Sequence, residues 1–427
     1  MIYSAPNRLS QTRRKCSMSE PNADRASANW IIAFAVTTFA MMTLQMSSLG
    51  FSPLLPDLQR DFNINYSQLG LFSGVYGLAA IAFSIPGGVL ARRFGEKKVL
   101  TLGLLVVTSG LGVLSRAPNF AWGLSGRTIW IIGYRVAFVC VMTAVARVVP
   151  SHRRSMAMGI LGAMSSLASV VGAPFGASIG VAFGWRNGIL AFAGMALLGS
   201  IIFWALYRSP GETVRRSATE HGLGHGPDAS AFASPLVWSM VLLGLINMGG
   251  FSATFFVPSA VTTTFRLGPT VAAYIISASY VTAIFANLLC GYLADRLNRW
   301  GVMIGIMLLL IPASFAMMAP NFVVFRFATA LLISLGLCAT NQIFAIASEV
   351  MPGREIGPVM GIVSLGGGIF GYIGPQMLGI LRDHTGSFTA GWYFVAFGAL
   401  VALLVILILK RAAGKAQFSR MQILSGA

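Results

Sequence analysis

Gly88-Val89-Leu90-Ala91-Arg92-Arg93-Phe94-Gly95-Glu96-Lys97-Lys98 closes one long apolar segment and opens the next. Gly291-Tyr292-Leu293-Ala294-Asp295-Arg296-Leu297-Asn298-Arg299 does the same about 202 residues later. Two further echoes keep the order and the spacing. Ala117-Pro118-Asn119-Phe120 answers Ala319-Pro320-Asn321-Phe322, and Pro150 answers Pro352, each near a basic loop. Three echoes in register indicate an internal duplication. Repeats of this kind, each with an even number of spans, predict two bundles related about an axis along the membrane normal, with a central route between them.

Working outward, 56% of the residues are apolar and 10% are charged, too little polar surface for a soluble protein of this length. A helix needs roughly 20 largely apolar residues to cross the hydrocarbon core. Twelve stretches satisfy this: 30–50, 65–91, 98–116, 121–147, 155–180, 188–207, 235–260, 269–292, 300–318, 321–348, 356–381 and 390–409. The fold class expected is an all-α membrane protein of twelve helices in two six-helix bundles. The net charge of +18 reports topology rather than nucleic-acid binding. Basic clusters at Arg13–Lys15, Arg92–Lys98, Arg147–Arg154, Arg208–Arg216, Arg296–Arg299, Arg354 and Lys410–Lys415 all fall on one side of a twelve-span chain. The positive-inside rule makes that side cytoplasmic, with both termini inside a multi-pass protein of the inner, or plasma, membrane.

The chain therefore divides into an N-terminal tail (1–29), a first bundle (30–209), a Gly- and Pro-containing linker (210–234), a second bundle (235–409) and a C-terminal tail (410–427). The apolar segment from Trp30 lacks a small-residue cleavage site and is read as a retained span. Cys16, Cys140, Cys290 and Cys338 are scattered and the four histidines do not cluster, so no disulfide framework, metal or cofactor is expected. No catalytic constellation is present.

The chemistry lies in charges placed inside apolar segments. The twelve acidic residues lie outside these segments, whereas Arg127, Arg135 and Arg326 lie within them or at their ends. An intramembrane arginine faces a bundle interior or a water-filled path, because exposing it to hydrocarbon costs several kcal/mol. Arg135 follows Arg127 by about 12 Å of rise and roughly 80° of rotation, which allows both to border one cavity. A guanidinium pairs with a carboxylate or another planar oxyanion, so Arg135 is the leading substrate-binding candidate. Arg127 shapes the potential or snorkels. Arg326, near the start of its segment, suits anchoring or gating better. Gln45, Tyr76, Asn247, Tyr274, Tyr280, Asn341, Gln342 and Gln376 are neutral groups able to complete a polar cavity, with packing as the plain alternative for each. No carboxylate at mid-span suggests a proton relay. An exchanged anion, or a proton bound together with the anion, is the expected counterpart, giving antiport, symport or facilitated uptake.

From these residues the chain resembles the major facilitator superfamily over nearly its whole length. The signature between the second and third spans is a glycine, an Asp-Arg pair, another glycine and basic residues. Arg92 stands at the aspartate position here, beside Arg93; the second copy keeps Asp295 and Arg296 but has Asn298 at the later glycine. The resemblance implies that this loop helps hold the cytoplasmic side closed, so Arg92, Arg93, Asp295 and Arg296 are gating candidates. Arg127 resembles the fourth-helix arginine of the family. Gly172-Ala173-Pro174 partly resembles its fifth-helix motif, with Ala173 replacing a glycine, so antiport is not inferred from it. Gly50–Asp57 and Gly374–Asp383 are diffusely similar to organic-anion, cyanate and nitrate-type members. The function expected is transport of a small anion, with a carboxylate favoured, by alternating access in a monomer among membrane lipids. The alternatives are an exporter of amphiphilic or cationic compounds and a non-transporting sensor on the same scaffold.

Overall fold

A computed structural model describes residues 20–149, 154–207, 235–350 and 356–425. The linker 210–234, Pro150, Pro352 and Arg354 lie outside the described residues. Among the described residues the structure is helical throughout, without strands. The first half contains α1 (Glu20–Gly50), a 3₁₀ turn (Ser52–Leu54), α2 (Leu55–Asp61), α3 (Tyr66–Phe94), α4 (Glu96–Ser115), α5 (Phe120–Val148), α6 (Arg154–Phe183) and α7 (Trp185–Leu206). The second half contains α8 (Pro235–Leu242), a 3₁₀ turn (Leu243–Ile246), α9 (Asn247–Thr263), α10 (Pro269–Arg296), α11 (Arg299–Ala316), α12 (Phe322–Val350), α13 (Ile356–Thr385) and α14 (Thr389–Ser425).

Among the described residues, eleven segments are long and apolar enough to cross a membrane. The twelfth expected span, 356–381, is taken up by α13, a single helix of 30 residues. The chain is a multi-pass membrane protein. The ends of α1 and α14 nearest the chain termini mark what we call the terminal face; the opposite is the distal face. The first helix begins at Glu20 rather than near Trp30. The seventh span tightens into a 3₁₀ turn at Leu243–Ile246, where Gly244 and Gly366 bring α13 against the turn at a distance that leaves no room for a Cβ.

The repeated motifs prove to be helix boundaries. Asn119 accepts from Trp122 N at 3.1 Å and Asn321 from Val323 N at 2.8 Å, so each copy of Ala-Pro-Asn-Phe caps the helix that follows it. Gly95 joins α3 to α4 at φ +85°, in the left-handed region that glycine tolerates. Its counterpart Asn298 is extended (φ −178°) and caps α11 through Trp300 N at 2.9 Å, which explains why this copy needs no glycine. Glu96, first in α4, is 3% exposed; it is a buried carboxylate at a helix N-terminus, where the helix dipole favours negative charge.

The halves meet mainly along two seams, α3 with α13 and α6 with α10. In the first seam the backbones nearly touch. A Cβ on Gly70 would lie 2.7 Å from Pro375 O, and one on Gly77 2.6 Å from Tyr372 N. At its distal end Asp383 accepts from Tyr66 N (2.9 Å), Ser67 N (2.7 Å) and the Ser67 hydroxyl, so a carboxylate of the second half caps a helix of the first. In the other seam, the Ser277 hydroxyl donates to Val170 O at 2.7 Å.

Candidate functional site

Arg135 lies about midway along α5, whose 29 residues rise through roughly 43 Å. Its guanidinium lies over the Tyr76 ring at 3.9 Å and donates from Nη2 to Tyr76 O at 3.2 Å. Its Nε is buried without a hydrogen-bond partner. Tyr134 donates to Gln45 Oε1, and the Tyr76 and Tyr134 hydroxyls are 3.5 Å apart. Gln45, Tyr76, Tyr134 and Arg135, from α1, α3 and α5, therefore form one central cluster. No carboxylate pairs with Arg135 among the described residues. A cation held by an aromatic face and one carbonyl keeps unused donors for an incoming oxyanion.

Phe251 joins this cluster to the second half, its ring 5.3 Å from that of Tyr76. Phe251 also lines a small cavity with about 40 Å³ of water-accessible space, together with Asn247, Gly250, Thr254, Tyr280, Ile333, Gly336 and Leu337. Asn247 accepts from the Thr340 hydroxyl at 2.8 Å. Asn341 donates to Asn287 Oδ1 at 2.9 Å. Gln342 on α12 and Gln376 on α13 each bury an Oε1 without a partner.

Arg127 does not share the space of Arg135. It is 0% exposed, with its guanidinium 4.2 Å from the Phe51 ring centre, 4.1 Å from Trp130 and 5.7 Å from Phe72. Nε donates to Phe72 O at 3.4 Å, and neither Nη has a partner. The eight-residue offset carries it towards the distal face, into a box that Phe51 extends to Phe255 of the second half, 6.1 Å away. Neither headgroup snorkelling nor a shared cavity describes it. Tyr274 is 63% exposed and so stands apart from the cluster, because its side of α10 faces outward. Arg326 is exposed, beside the Phe327 ring at 5.4 Å. Arg93 and Arg296 are exposed at the terminal ends of α3 and α10, beside Phe94 (5.4 Å) and Tyr292 (5.1 Å). The side chains of Arg92 and Asp295 lie outside those described.

The sequence reading missed Tyr134, Phe251, Thr254, Asn287 and Thr340. Tyr134 adjoins Arg135 in a chain with ten tyrosines, a signal that could have drawn attention to it. Phe251 is one of 29 phenylalanines and carried no such mark.

The family model described as Major Facilitator Superfamily matches residues 33–263 and 240–423. A "Putative tartrate transporter" of Agrobacterium vitis is 23% identical over 426 residues, covering 91% of this chain and 92% of that protein. "Probable anion transporter 6, chloroplastic" of Arabidopsis thaliana is 24% identical, covering 83% and 73%. Among solved structures, a bacterial homolog of the human lysosomal transporter Spinster, in an inward-facing and occupied conformation, superposes with a TM-score of 0.72 at 16% identity, covering 92% of this chain and 98% of that one.

Proposed function

The chain belongs to the Major Facilitator Superfamily and is a membrane transporter rather than an enzyme; from that premise we propose that it carries a small organic anion, a carboxylate before others, by alternating access. The observation that carries this reading is Arg135, a mid-span guanidinium without a carboxylate partner and with a buried Nε left free. A carboxylate arriving there neutralises the charge and satisfies the donor, which makes the loaded state easier to reorient. The names of the tartrate and anion transporters point the same way.

In this reading the bundles 30–209 and 235–409 rock about the central site, tied by the linker 210–234. The terminal face, with its basic clusters, is cytoplasmic in an inner membrane. Arg92, Arg93, Asp295 and Arg296 act at the gate on that face, and Arg326 anchors α12. The charge is balanced by an exchanged anion or by a proton that travels with the substrate, and the monomer is the working unit.

The test is carboxylate uptake into liposomes containing the purified protein alone, with Arg135→Ala run in parallel. Removing one partner of a desolvated charge pair costs about 2 kcal/mol or more, so apparent affinity should fall at least about thirtyfold. Unchanged uptake kinetics in a folded Arg135→Ala protein overturn the assignment. A second reading, export of amphiphiles, draws on the wall formed by Tyr76, Tyr134 and Phe251. Thermal stabilisation by cationic amphiphiles but by no anion would favour it.

A further inference from the structure

The duplication allows the two halves of the central site to be laid over each other, and they do not match. At the offset of the paired Asn119 and Asn321 caps, Gln45 corresponds to Asn247, Tyr134 to Gly336 and Arg135 to Leu337. Because α5 and α12 start at equivalent caps, Arg135 and Leu337 lie at equal depth, about 22 Å from the start of each helix. In the first half Gln45 holds Tyr134, and Arg135 fills the space beside it. In the second half Asn247 turns to Thr340, and Gly336 and Leu337 line the small cavity of about 40 Å³. Where one half places a phenol and a cation, the other leaves space. That space is walled by Gly250, Phe251, Ile333, Gly336 and Leu337, and its polar groups, Asn247, Thr254 and Tyr280, are uncharged.

We infer that the substrate is asymmetric: a monoanion whose single carboxylate meets Arg135 while an uncharged, largely apolar tail enters the cavity beside Gly336 and Leu337. This rests on the anion reading of Arg135 and narrows it, since a second carboxylate directed into the cavity would meet no cation. Arg127 cannot supply one in this arrangement, being enclosed by Phe51, Phe72 and Trp130 with 0% exposure. Arg135 does not itself line the cavity: the Tyr76 and Phe251 rings, 5.3 Å apart, stand between them, so the substrate must span this ring pair from head to tail. An apolar pocket discriminates by about tenfold or more for each methylene it accepts or excludes.

The experiment measures binding of acetate, hexanoate and adipate to the purified full chain, for the wild type, Gly336→Ala, Leu337→Arg and Arg135→Ala. Hexanoate should bind at least about tenfold more tightly than acetate, and more tightly than adipate, which has the same carbon number and a second charge. Gly336→Ala tests the cavity with little risk to the fold, since the nearest atom to the added Cβ is 3.7 Å away; the hexanoate-to-acetate affinity ratio should fall about tenfold. Leu337→Arg should raise the adipate-to-hexanoate ratio. Adipate equal to or tighter than hexanoate in the wild type, or a hexanoate-to-acetate ratio unmoved by Gly336→Ala, overturns the inference while leaving the carboxylate reading intact. Binding of all three acids unaffected by Arg135→Ala overturns that reading and this inference with it.

Discussion

The two seams between the halves are built on opposite principles. Along α3 and α13, contact is made mainly by glycine and backbone: Gly70 and Gly77 face the backbone of Pro375 and Gly368, Gly379 abuts that of Tyr66, and Gly74 receives the Tyr372 ring. Along α6 and α10, among the described residues, no glycine meets the backbone of the other half, and the Ser277 hydroxyl reaches across to Val170 O. The distal ends differ as well. Asp383 caps α3 from the other half, whereas α10 begins at Gly268-Pro269 without a side-chain cap. Duplication supplied two seams of one topology, and the sequence has since made one close-fitting and charge-capped and left the other to side chains. The first seam is closed from Gly77 against Gly368 to Asp383 against Tyr66 at the distal face, and the variants below ask whether it is the distal clamp.

The largest break in this contrast should come from Gly77→Val. Its Cβ would fall between Gly368 O and Tyr372 N, both backbone atoms, so α3 and α13 must separate. Overpacking of this kind costs about 1–3 kcal/mol or more, enough to move the protein out of the distally closed state. Spin labels at positions 60 and 384 should report a longer distance by pulsed electron resonance; an unchanged distribution would show that the seam is not the distal clamp.

Asp383→Ala comes next. It leaves Tyr66 N and Ser67 N without their acceptor, and losing a helix cap costs about 0.5–2 kcal/mol. The same labels should show a new, longer population at the expense of the closed one. Loss of the closed population as complete as in Gly77→Val would assign the clamp to the carboxylate rather than to the backbone fit. Ser277→Ala should have the smallest effect, since a neutral hydrogen bond contributes about 0.5–1.5 kcal/mol and Val170 lies within a helix. A shift as large as that of Asp383→Ala would erase the difference between the seams.

Much of this was legible in the chain. The spans could be read because a bilayer demands unbroken apolar length, and the duplication because loop motifs survived at a fixed offset. Arg135 could be read because a cation in hydrocarbon is costly wherever it is not used. The 3₁₀ turn at Leu243–Ile246 was hidden, and so was the close approach of Gly366 to Gly244 within it, between residues more than a hundred apart in sequence. The burial of Arg127 was hidden for a related reason: its box is assembled from α3, α5 and the segment around Phe51, and aromatic residues in apolar spans give no sign of which of them face a cation. Asp383 could be placed at a helix end, but which helix it caps is a fact of tertiary structure alone.

The glycine seam also has an entropic consequence. A seam made of side chains freezes rotamers each time it closes and frees them each time it opens; glycine has none to lose. What Gly70, Gly77 and Gly379 contribute on closing is backbone contact, including Cα–H groups set against carbonyl oxygens, and little disorder is given up in exchange. A joint of that kind can part and re-form through many cycles without having to sort its side chains anew on each return.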